Sequence, residues 1–308
     1  MKIGIIIPYY GKFPSYFDLV LKSMKNQQNY YFIFFTDRKI EDVYKLPHNA
    51  ISYYLSFNEL VKFVESKFKD LKIQLRYPYK LCDFRPAYGY IFNEFLKDYD
   101  WWGYCDIDVI FGDLNKFITV EILNKYNKVL CRGHLTIYRN MEEVNNYFRL
   151  YHPLISYKDV FSDKKSVGFD EWNGIYKILQ FNKIPQFYDE FIADVDPDRR
   201  KLTLTIKERN HRHQFFVYDR GKIYQYFIMQ SEVKKREFAY IHLQKRNYKP
   251  HKLPQDCERF VIKEDEFIEF DDNKINEYLN YRYSFKDIVY PWQKKMRQLK
   301  KRIRNWWA

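Results

Sequence analysis

The chain is poor in the residues that build cross-linked, repetitive or membrane-spanning proteins. Its four cysteines are widely spaced and form no Cys-x-x-Cys pair, which argues against a disulfide framework and a zinc knuckle. Only 9 glycines and 11 prolines occur in 308 residues, without repeats, so collagen-like, solenoid and low-complexity classes are excluded. No stretch reaches about 20 apolar residues, and the run Met1–Pro8 is too short for the core of a signal peptide. We therefore expect neither a membrane span nor a cleaved signal.

Apolar and basic residues are abundant. The chain is 46% hydrophobic and 20% aromatic, enough to fill the core of a sizeable α/β domain with an appendage. The formal net charge of +13 permits nucleic acid, anionic membrane or nucleotide partners. Seven cations and no acid lie in the last eighteen residues, 291–308. The rest of the chain is therefore only mildly basic.

Strand-like apolar runs alternate with segments of helical periodicity. The predicted strands are Lys2–Pro8, Tyr30–Phe35, Ile51–Leu55, Trp101–Cys105 and Lys128–Tyr138, and the predicted helices are Ser15–Lys25, Glu59–Phe68, Pro86–Leu96 and Met141–Tyr151. This alternation predicts a largely parallel sheet with right-handed crossovers. Turn residues at Asp219-Arg220-Gly221 predict a hairpin within residues 203–228.

An Asp-x-Asp motif, Asp106 and Asp108, follows one of the apolar runs. On an extended segment both side chains point to the same face, so the two carboxylates can converge on one hard cation. Mg²⁺ and Mn²⁺ favour oxygen ligands and are usually shared with substrate phosphates. An isolated Asp-x-Asp is common by chance, but two half-buried acids repel each other unless a cation or donors offset their charge. The motif therefore predicts a metal and diphosphate site.

Four further motifs carry a resemblance to a known family. They are Pro8-Tyr9-Tyr10, Thr36-Asp37, the segment 80–86 (KLCDFRP) and the late segment 241–246 (IHLQKR). Together with the Asp-x-Asp they resemble bacterial glycosyltransferases of the GT-A fold, most closely capsular or surface polysaccharide enzymes, over residues 1–250. The resemblance implies a Rossmann-like α/β fold with a mainly parallel sheet flanked by helices. We expect a C-terminal helical extension at 251–290 and a membrane-association helix at 291–308.

The resemblance implies metal-dependent transfer of a hexose, galactose or glucose favoured, from a UDP-sugar to a lipid-linked saccharide precursor. Asp106, Asp108 and His242 would hold Mn²⁺ or Mg²⁺. The residues implied near the nucleotide are Tyr9, Asp37, Lys80, Asp83, Arg85, Ile107, Lys245 and Arg246. Other readings stay open: His242 as a core histidine, Asp37 as a helix cap, and Asp83 with Arg85 as a structural ion pair.

Asp170 and Glu171 are the acids best suited to the sugar or the acceptor, because Gly168, Phe169 and Trp172 flank them. An inverting enzyme needs such a carboxylate as general base for the acceptor hydroxyl. In a retaining enzyme the leaving phosphate can take that proton, and Asp170 then positions the donor sugar. The late segment 241–246 resembles the retaining group, which we favour. The inverting reaction, with Asp170 or Glu171 as base, is the alternative.

The last residues have the pattern of a basic amphipathic helix. Apolar side chains recur on one helical face at Trp292, Met296, Leu299, Ile303 and Trp306. Such a helix is typical of peripheral association with an anionic membrane, here the cytoplasmic face, although a helix packed on the body has the same pattern. A sugar nucleotidyltransferase is disfavoured because the loop Pro8–Lys12 has a single glycine. A nucleic-acid-binding protein is disfavoured because the basic residues concentrate in the tail.

Overall fold

The computed structural model describes residues 1–188, 191–244, 246–292 and 295–296. The chain divides into two compact units. The first comprises Met1–Phe13, Asp18–Val109 and Asn115–Glu190, and the second comprises Pro14–Phe17, Ile110–Leu114 and Phe191–Ala308. These units do not coincide with the predicted boundaries at 250 and 290, because strands on both sides of residue 250 pair in one sheet.

Fourteen strands are formed by the described residues. They are β1 Ile3–Pro8, β2 Tyr30–Thr36, β3 Ala50–Tyr54, β4 Trp101–Cys105, β5 Val109–Phe111, β6 Lys128–Arg132, β7 Leu135–Arg139, β8 Ile192–Asp194, β9 Gln214–Asp219, β10 Lys222–Met229, β11 Glu232–Phe238, β12 Tyr240–His242, β13 Arg259–Ile262 and β14 Phe267–Glu269. The first unit contains a six-stranded sheet in the order β3-β2-β1-β4-β7-β6. β1 pairs in parallel with β2 and β4, and β2 with β3. β7 runs in the opposite direction to the other five strands of this sheet, antiparallel to β4 and β6. The predicted α/β class with a mainly parallel sheet is therefore confirmed.

Short helices flank this sheet. The α-helices before residue 280, within the described residues, are α1 Phe17–Lys25, α2 Phe57–Lys67, α3 Tyr88–Ile91, α4 Leu114–Phe117, α5 Val120–Lys125, α6 Glu142–Asn145, α7 Tyr157–Ser162, α8 Ile175–Phe181 and α9 Ile275–Leu279. A capping box at Ser56 and Glu59 starts α2, because each side chain satisfies a backbone donor of the first turn. The predicted helix Pro86–Leu96 is instead the end of a 3₁₀ segment, Pro78–Ala87, followed by the four-residue helix α3 and a second 3₁₀ turn.

The predicted strand Lys128–Tyr138 is two antiparallel strands, β6 and β7. The chain reverses at Gly133 and His134. Both strands are buried along most of their length, so a continuous apolar run was a poor guide to where one strand ends. The rings of Phe84 and Phe148 both stack on Phe161 in the core of this unit.

The second unit contains a five-stranded antiparallel sheet, β11-β10-β9-β13-β14, and a three-stranded sheet, β5-β12-β8. The predicted hairpin joins β9 to β10, and Arg220 and Gly221 at its tip have positive φ angles of 47° and 82°. The predicted helical extension, 251–290, is corrected in part. Its segment 259–269 forms β13 and β14, because its aromatic and β-branched side chains favour a strand beside β9.

The end of the chain is helical at residues 285–292 and 295–296. Three members of the predicted apolar stripe, Leu299, Ile303 and Trp306, lie outside the described residues. Within the part of the chain that the structure describes, no helix combines the length and the apolar character that crossing a bilayer requires.

Candidate functional site

Polar residues follow three neighbouring strands at one edge of the first unit's sheet. Tyr9 follows β1, Asp37 follows β2 and Asp106 follows β4. Parallel pairing aligns the carboxyl ends of these strands, the edge at which open α/β sheets bind ligands. Burial raises the pKa of Tyr9, and the negative charge of Asp108 raises it further. The structure thus brings together residues that the sequence predicts for the metal and the nucleotide.

The Asp-x-Asp motif occupies a turn. β4 ends at Cys105 and β5 begins at Val109, so Asp106 and Asp108 lie in the connection between the strands. The expectation that both side chains share one face of an extended strand is therefore wrong in its geometry, because strand alternation does not apply in a turn. Asp106 is half-buried and Asp108 is 4% exposed. The two aspartates, separated by Ile107, still lie just after the carboxyl end of β4.

Arg85 links three parts of this edge. One guanidinium nitrogen, Nη1, donates to Asp170 Oδ2 at 2.8 Å and to the carbonyl oxygen of Gly133 at 2.9 Å. The other, Nη2, donates to Asp106 Oδ1. The side chain of Arg85 is only 13% exposed, and its guanidinium carbon lies 5.4 Å from the centre of the Tyr104 ring. A single cation therefore joins the Asp-x-Asp motif to the acid predicted for the sugar.

Gly133 is the point of closest approach in this cluster. A Cβ at this position would lie 2.9 Å from both Arg85 Nη1 and Asp170 Oδ2, and 3.2 Å from Glu171 Oε1. A side chain here would push the ion pair apart. Gly133 and His134 form the turn between β6 and β7, and the carbonyl oxygen of Gly133 accepts a hydrogen bond from Arg85.

Asp170 and Glu171 have opposite environments. Asp170 is 2% exposed, and burial raises its pKa to about 7 although the Arg85 cation opposes that shift. Glu171 is exposed beside the half-buried Trp172. The two neighbouring acids therefore differ in solvent access. Asp170 is held in an ion pair with Arg85, whereas Glu171 is accessible to solvent.

Lys80 and Asp83 form a wholly buried ion pair. Lys80 Nζ donates to Asp83 Oδ2 at 2.8 Å and to the carbonyl oxygens of Val160 and Lys165 at 2.8 and 2.6 Å. Both side chains are 0% exposed. They hold backbone segments together instead of contacting a nucleotide, which corrects the prediction made for them.

The same pair fixes the segment that carries Asp170. Asp83 Oδ1 accepts from the backbone N–H of Phe169 at 2.9 Å, and Oδ2 accepts from that of Val167 at 3.0 Å. A buried carboxylate with this many donors is well compensated. Asp83 therefore positions Asp170 through the backbone of the residue before it.

In the second unit, His242 at the end of β12 pairs with a carboxylate. Its Nδ1 lies 2.9 Å from Asp194 Oδ1, and both side chains are 6% exposed. Gln244 Nε2 donates to the same oxygen at 2.8 Å, and the Thr205 hydroxyl donates to Asp194 Oδ2 at 3.1 Å. A carboxylate on one ring nitrogen fixes the orientation and tautomer of a histidine and is the usual companion of a metal-binding imidazole.

Arg246, predicted to bind the diphosphate, is 5% exposed. Its guanidinium donates to the backbone carbonyls of Asp196, Arg199 and Arg200. These hydrogen bonds hold the loop of residues 196–200. The predicted diphosphate role of Arg246 is therefore corrected to a structural one. Lys245 lies outside the described residues.

The side chains present have donor atoms suited to a divalent cation. Asp106 and Asp108 offer carboxylate oxygens, and His242 offers an imidazole nitrogen. Mg²⁺ and Mn²⁺ take carboxylates, and Mn²⁺ also accepts imidazole. The Arg85 cation already offsets the charge of Asp106, as the repulsion argument from the sequence requires.

Sequence reasoning missed one residue of the candidate site, Asp194, and one role, that of Arg85. Asp194 orients His242 from 48 residues away, and the one local signal for it is a second Asp-x-Asp, Asp194-Val195-Asp196. The bridging role of Arg85 was also missed, since its carboxylate partners lie 21 and 85 residues away. Sequence separation of this size hides both pairings.

A family model described as "Family of unknown function (DUF6625)" matches residues 5–271. No curated protein matches the chain. Among solved structures, the chain is similar to a glycosyltransferase involved in the glycosylation of the major capsid of PBCV-1. The identity is 12%, the TM-score is 0.31, and the match covers 63% of this chain and 85% of that one. It is also similar to the glycosyltransferase GlyE of Streptococcus pneumoniae TIGR4, at 13% identity and a TM-score of 0.31, covering 68% of this chain and 59% of that one.

Proposed function

We propose that this chain, which belongs to the DUF6625 family of unknown function, is a metal-dependent, retaining glycosyltransferase. It transfers a hexose, galactose or glucose, from a UDP-sugar to a lipid-linked precursor of a bacterial surface polysaccharide. The observation that carries the proposal is the Arg85 bridge, which joins the Asp-x-Asp turn to Asp170 at the carboxyl edge of a parallel sheet. That edge is where α/β folds bind nucleotides.

The leaving group is a nucleoside diphosphate, so the site must offset negative charge that develops on it. We assign Asp106, Asp108 and His242 as the residues that would hold Mn²⁺ or Mg²⁺, and the ion would supply Lewis-acid stabilisation of the leaving diphosphate. Asp194 holds the His242 ring in one orientation. Tyr9, Asp37 and Ile107 are assigned to the uridine, since Tyr9 follows β1, the parallel neighbour of β4, and Asp37 follows β2, the next strand along.

Asp170 is assigned to the donor sugar. Its carboxyl is buried and tied to Arg85 and, through the backbone, to the Lys80–Asp83 pair. A group fixed in this way orients a sugar hydroxyl well but has little freedom to take a proton from an incoming acceptor. This supports the retaining reaction. In the inverting alternative, the exposed Glu171 is the better placed base.

Asp170→Asn is expected to slow transfer by about 10² and to leave donor hydrolysis measurable, because the amide keeps one Arg85 contact but loses the charge. An NMR spectrum of the first product should show the α configuration of the donor. A β product from a UDP-α-sugar would reverse the assignment. So would a transfer rate that rises with pH through about 7, the pKa of Asp170, in the wild type and stays flat in the variant.

A screen of UDP-sugars for Mn²⁺-dependent hydrolysis and thermal stabilisation tests the function. One UDP-hexose should be turned over and should raise the melting temperature. ATP and single-stranded RNA serve as controls. Turnover of a nucleoside triphosphate with a sugar phosphate would identify a nucleotidyltransferase, and stabilisation by RNA alone would identify a nucleic-acid-binding protein.

We propose peripheral binding to the anionic cytoplasmic face of the membrane, where a lipid-linked acceptor would lie. Four apolar side chains recur at helical spacing near the end of the described chain: Phe285, Ile288, Trp292 and Met296, which are 76%, 69%, 71% and 53% exposed. An exposed apolar stripe on a basic helix fits the boundary between lipid headgroups and acyl chains.

Deleting residues 292–308 is expected to abolish flotation with anionic liposomes while preserving sugar-nucleotide hydrolysis. Each cation near an anionic surface contributes about 1 kcal/mol, screened by salt. Lys300→Glu/Lys301→Glu should bind poorly although every apolar residue remains. Equal flotation of the full-length and truncated chains would show that the tail packs on its own protein.

A further inference from the structure

A cluster of cationic side chains lies on one face of the five-stranded sheet in the second unit. In the β10–β11 pair, Gln225 lies opposite Arg236 and Phe227 lies opposite Lys234. Directly paired residues and those two positions along project to the same face of a sheet. Phe227 and Arg236 therefore share a face with Gln225.

Phe227 is the platform of this cluster. The His211 ring stacks on it, with centroids 3.8 Å apart and planes at 11°. The guanidinium carbon of Arg236 lies 5.3 Å from the Phe227 centroid. Gln225 Nε2 donates to the backbone carbonyl of Arg209 at 2.8 Å, which anchors a second arginine beside the platform.

Arg209 and Arg236 carry the positive charge of this cluster. Besides burial, the positive charge of Arg209 lowers the pKa of Arg236, and that of Arg236 lowers the pKa of His211. Within the described residues, His211 Nε2 and Arg236 Nη1 are buried atoms without a hydrogen-bond partner. Native structures rarely leave such groups unsatisfied unless an ion or water serves them.

Lys234 and Arg236 differ in whether they pair with a carboxylate. Lys234 on the same face forms an ion pair with Glu232, whereas Arg236 pairs with no carboxylate among the residues that the structure describes. A guanidinium group that pairs with no carboxylate, beside a ring nitrogen without a hydrogen-bond partner, has donors that a phosphate group can satisfy.

We propose that His211 and Arg236, stacked on Phe227 and assisted by Arg209, bind the phosphate groups of a diphosphate ester. The site lies in the second unit and uses none of the residues assigned to the metal, the uridine or the donor sugar. It is independent of glycosyl transfer. If the proposed function holds, the diphosphate that joins a saccharide to its lipid carrier has the chemistry that this site recognises.

Calorimetric titration of the full-length chain with inorganic pyrophosphate tests the proposal. EDTA is present, so binding through a divalent cation at the Asp-x-Asp turn does not contribute. Arg236→Gln should weaken pyrophosphate binding by about tenfold or more, the loss expected for one charge-assisted contact. His211→Phe keeps the stacking on Phe227 and removes the ring nitrogens, so it should weaken binding as well.

Lys235→Gln is the matched control, because Lys235 is the next residue of β11, is exposed and lies over Tyr224 on the other face. It should bind pyrophosphate like the wild type. Wild-type chain that binds no pyrophosphate at about millimolar concentration, or Arg236→Gln and His211→Phe variants that bind as tightly as the wild type, would overturn the proposal. Circular dichroism establishes that the variants are folded.

Two further ligands identify the source of the diphosphate. Farnesyl diphosphate carries a lipid and UDP carries a nucleoside, and both are titrated into the wild type and Arg236→Gln in EDTA. Tighter binding of farnesyl diphosphate that Arg236→Gln removes assigns the site to a lipid-linked ligand. Tighter binding of UDP assigns it to a nucleotide. Asp106→Ala should retain pyrophosphate binding even if it abolishes transfer, which separates this proposal from the proposed function.

Discussion

Asp106→Ala and Asp108→Ala are each expected to lower the Mn²⁺-dependent transfer rate by about 10³ or more, because several kcal/mol of charge stabilisation at the leaving diphosphate are lost. Asp98→Asn is a matched control, since Asp98 is an exposed acid shortly before β4 and should leave the rate unchanged. Rates are measured with the UDP-sugar that the donor screen identifies. A variant of Asp106 or Asp108 that keeps near-wild-type activity in EDTA would refute the metal assignment.

The role of His242 is tested on the same preparation by titration with Mn²⁺. His242→Ala should weaken metal affinity, and Asp194→Asn should do so by about 10 to 100-fold, the usual cost of losing the group that orients a metal-binding histidine. This readout does not depend on transfer. An unchanged calorimetric titration for both variants would return His242 to a structural role in β12.

Lys80→Met is expected to lower the free energy of unfolding by about 3–5 kcal/mol, because it leaves the Asp83 carboxylate buried without its cation. Urea denaturation measures the loss. Lys67→Met is the control: Lys67 pairs with Glu94 at 2.6 Å, but Glu94 is 59% exposed, so about 1 kcal/mol or less is expected. Equal losses of unfolding free energy in the two variants would contradict the structural role assigned to the buried Lys80–Asp83 ion pair.

A second variant separates charge from packing at the Lys80–Asp83 pair. Asp83→Asn combined with Lys80→Met removes both charges and should recover part of the lost stability. It should not recover transfer, because the backbone N–H groups of Val167 and Phe169 lose the carboxylate that positions Asp170. Recovery of full activity would show that Asp170 is positioned by other contacts.

The fold was more predictable from the sequence than the site. The apolar runs ending at Pro8 and Thr36 are strands in the structure, because a strand buried on both faces leaves a continuous apolar signal. The segment 259–269 was misread as helix. Its side chains favour a strand only when β9 is present to pair with it, and β9 lies about forty residues earlier in the chain.

The candidate site shows where local reading fails. Asp106, Asp170 and His242 were predicted from residue type and motif, which depend only on neighbouring residues in the chain. Lys80 and Arg246 were also read as ligands of the nucleotide, yet both are buried and donate to backbone carbonyls. A cation's chemistry is the same in either role, so burial and the identity of its partner decide which one it has.

By itself the sequence determined which segments are apolar enough to be buried strands, where the hairpin between β9 and β10 turns, and which acids are candidates for holding a cation. These properties depend on side-chain chemistry and on contacts between near neighbours. The tertiary structure decided that Arg85 joins Asp106 to Asp170, that Asp194 orients His242, and that Arg236 and His211 meet on one aromatic ring. Such pairings join residues tens of positions apart. They form only when folding brings the residues together and removes the water that would otherwise solvate their charges.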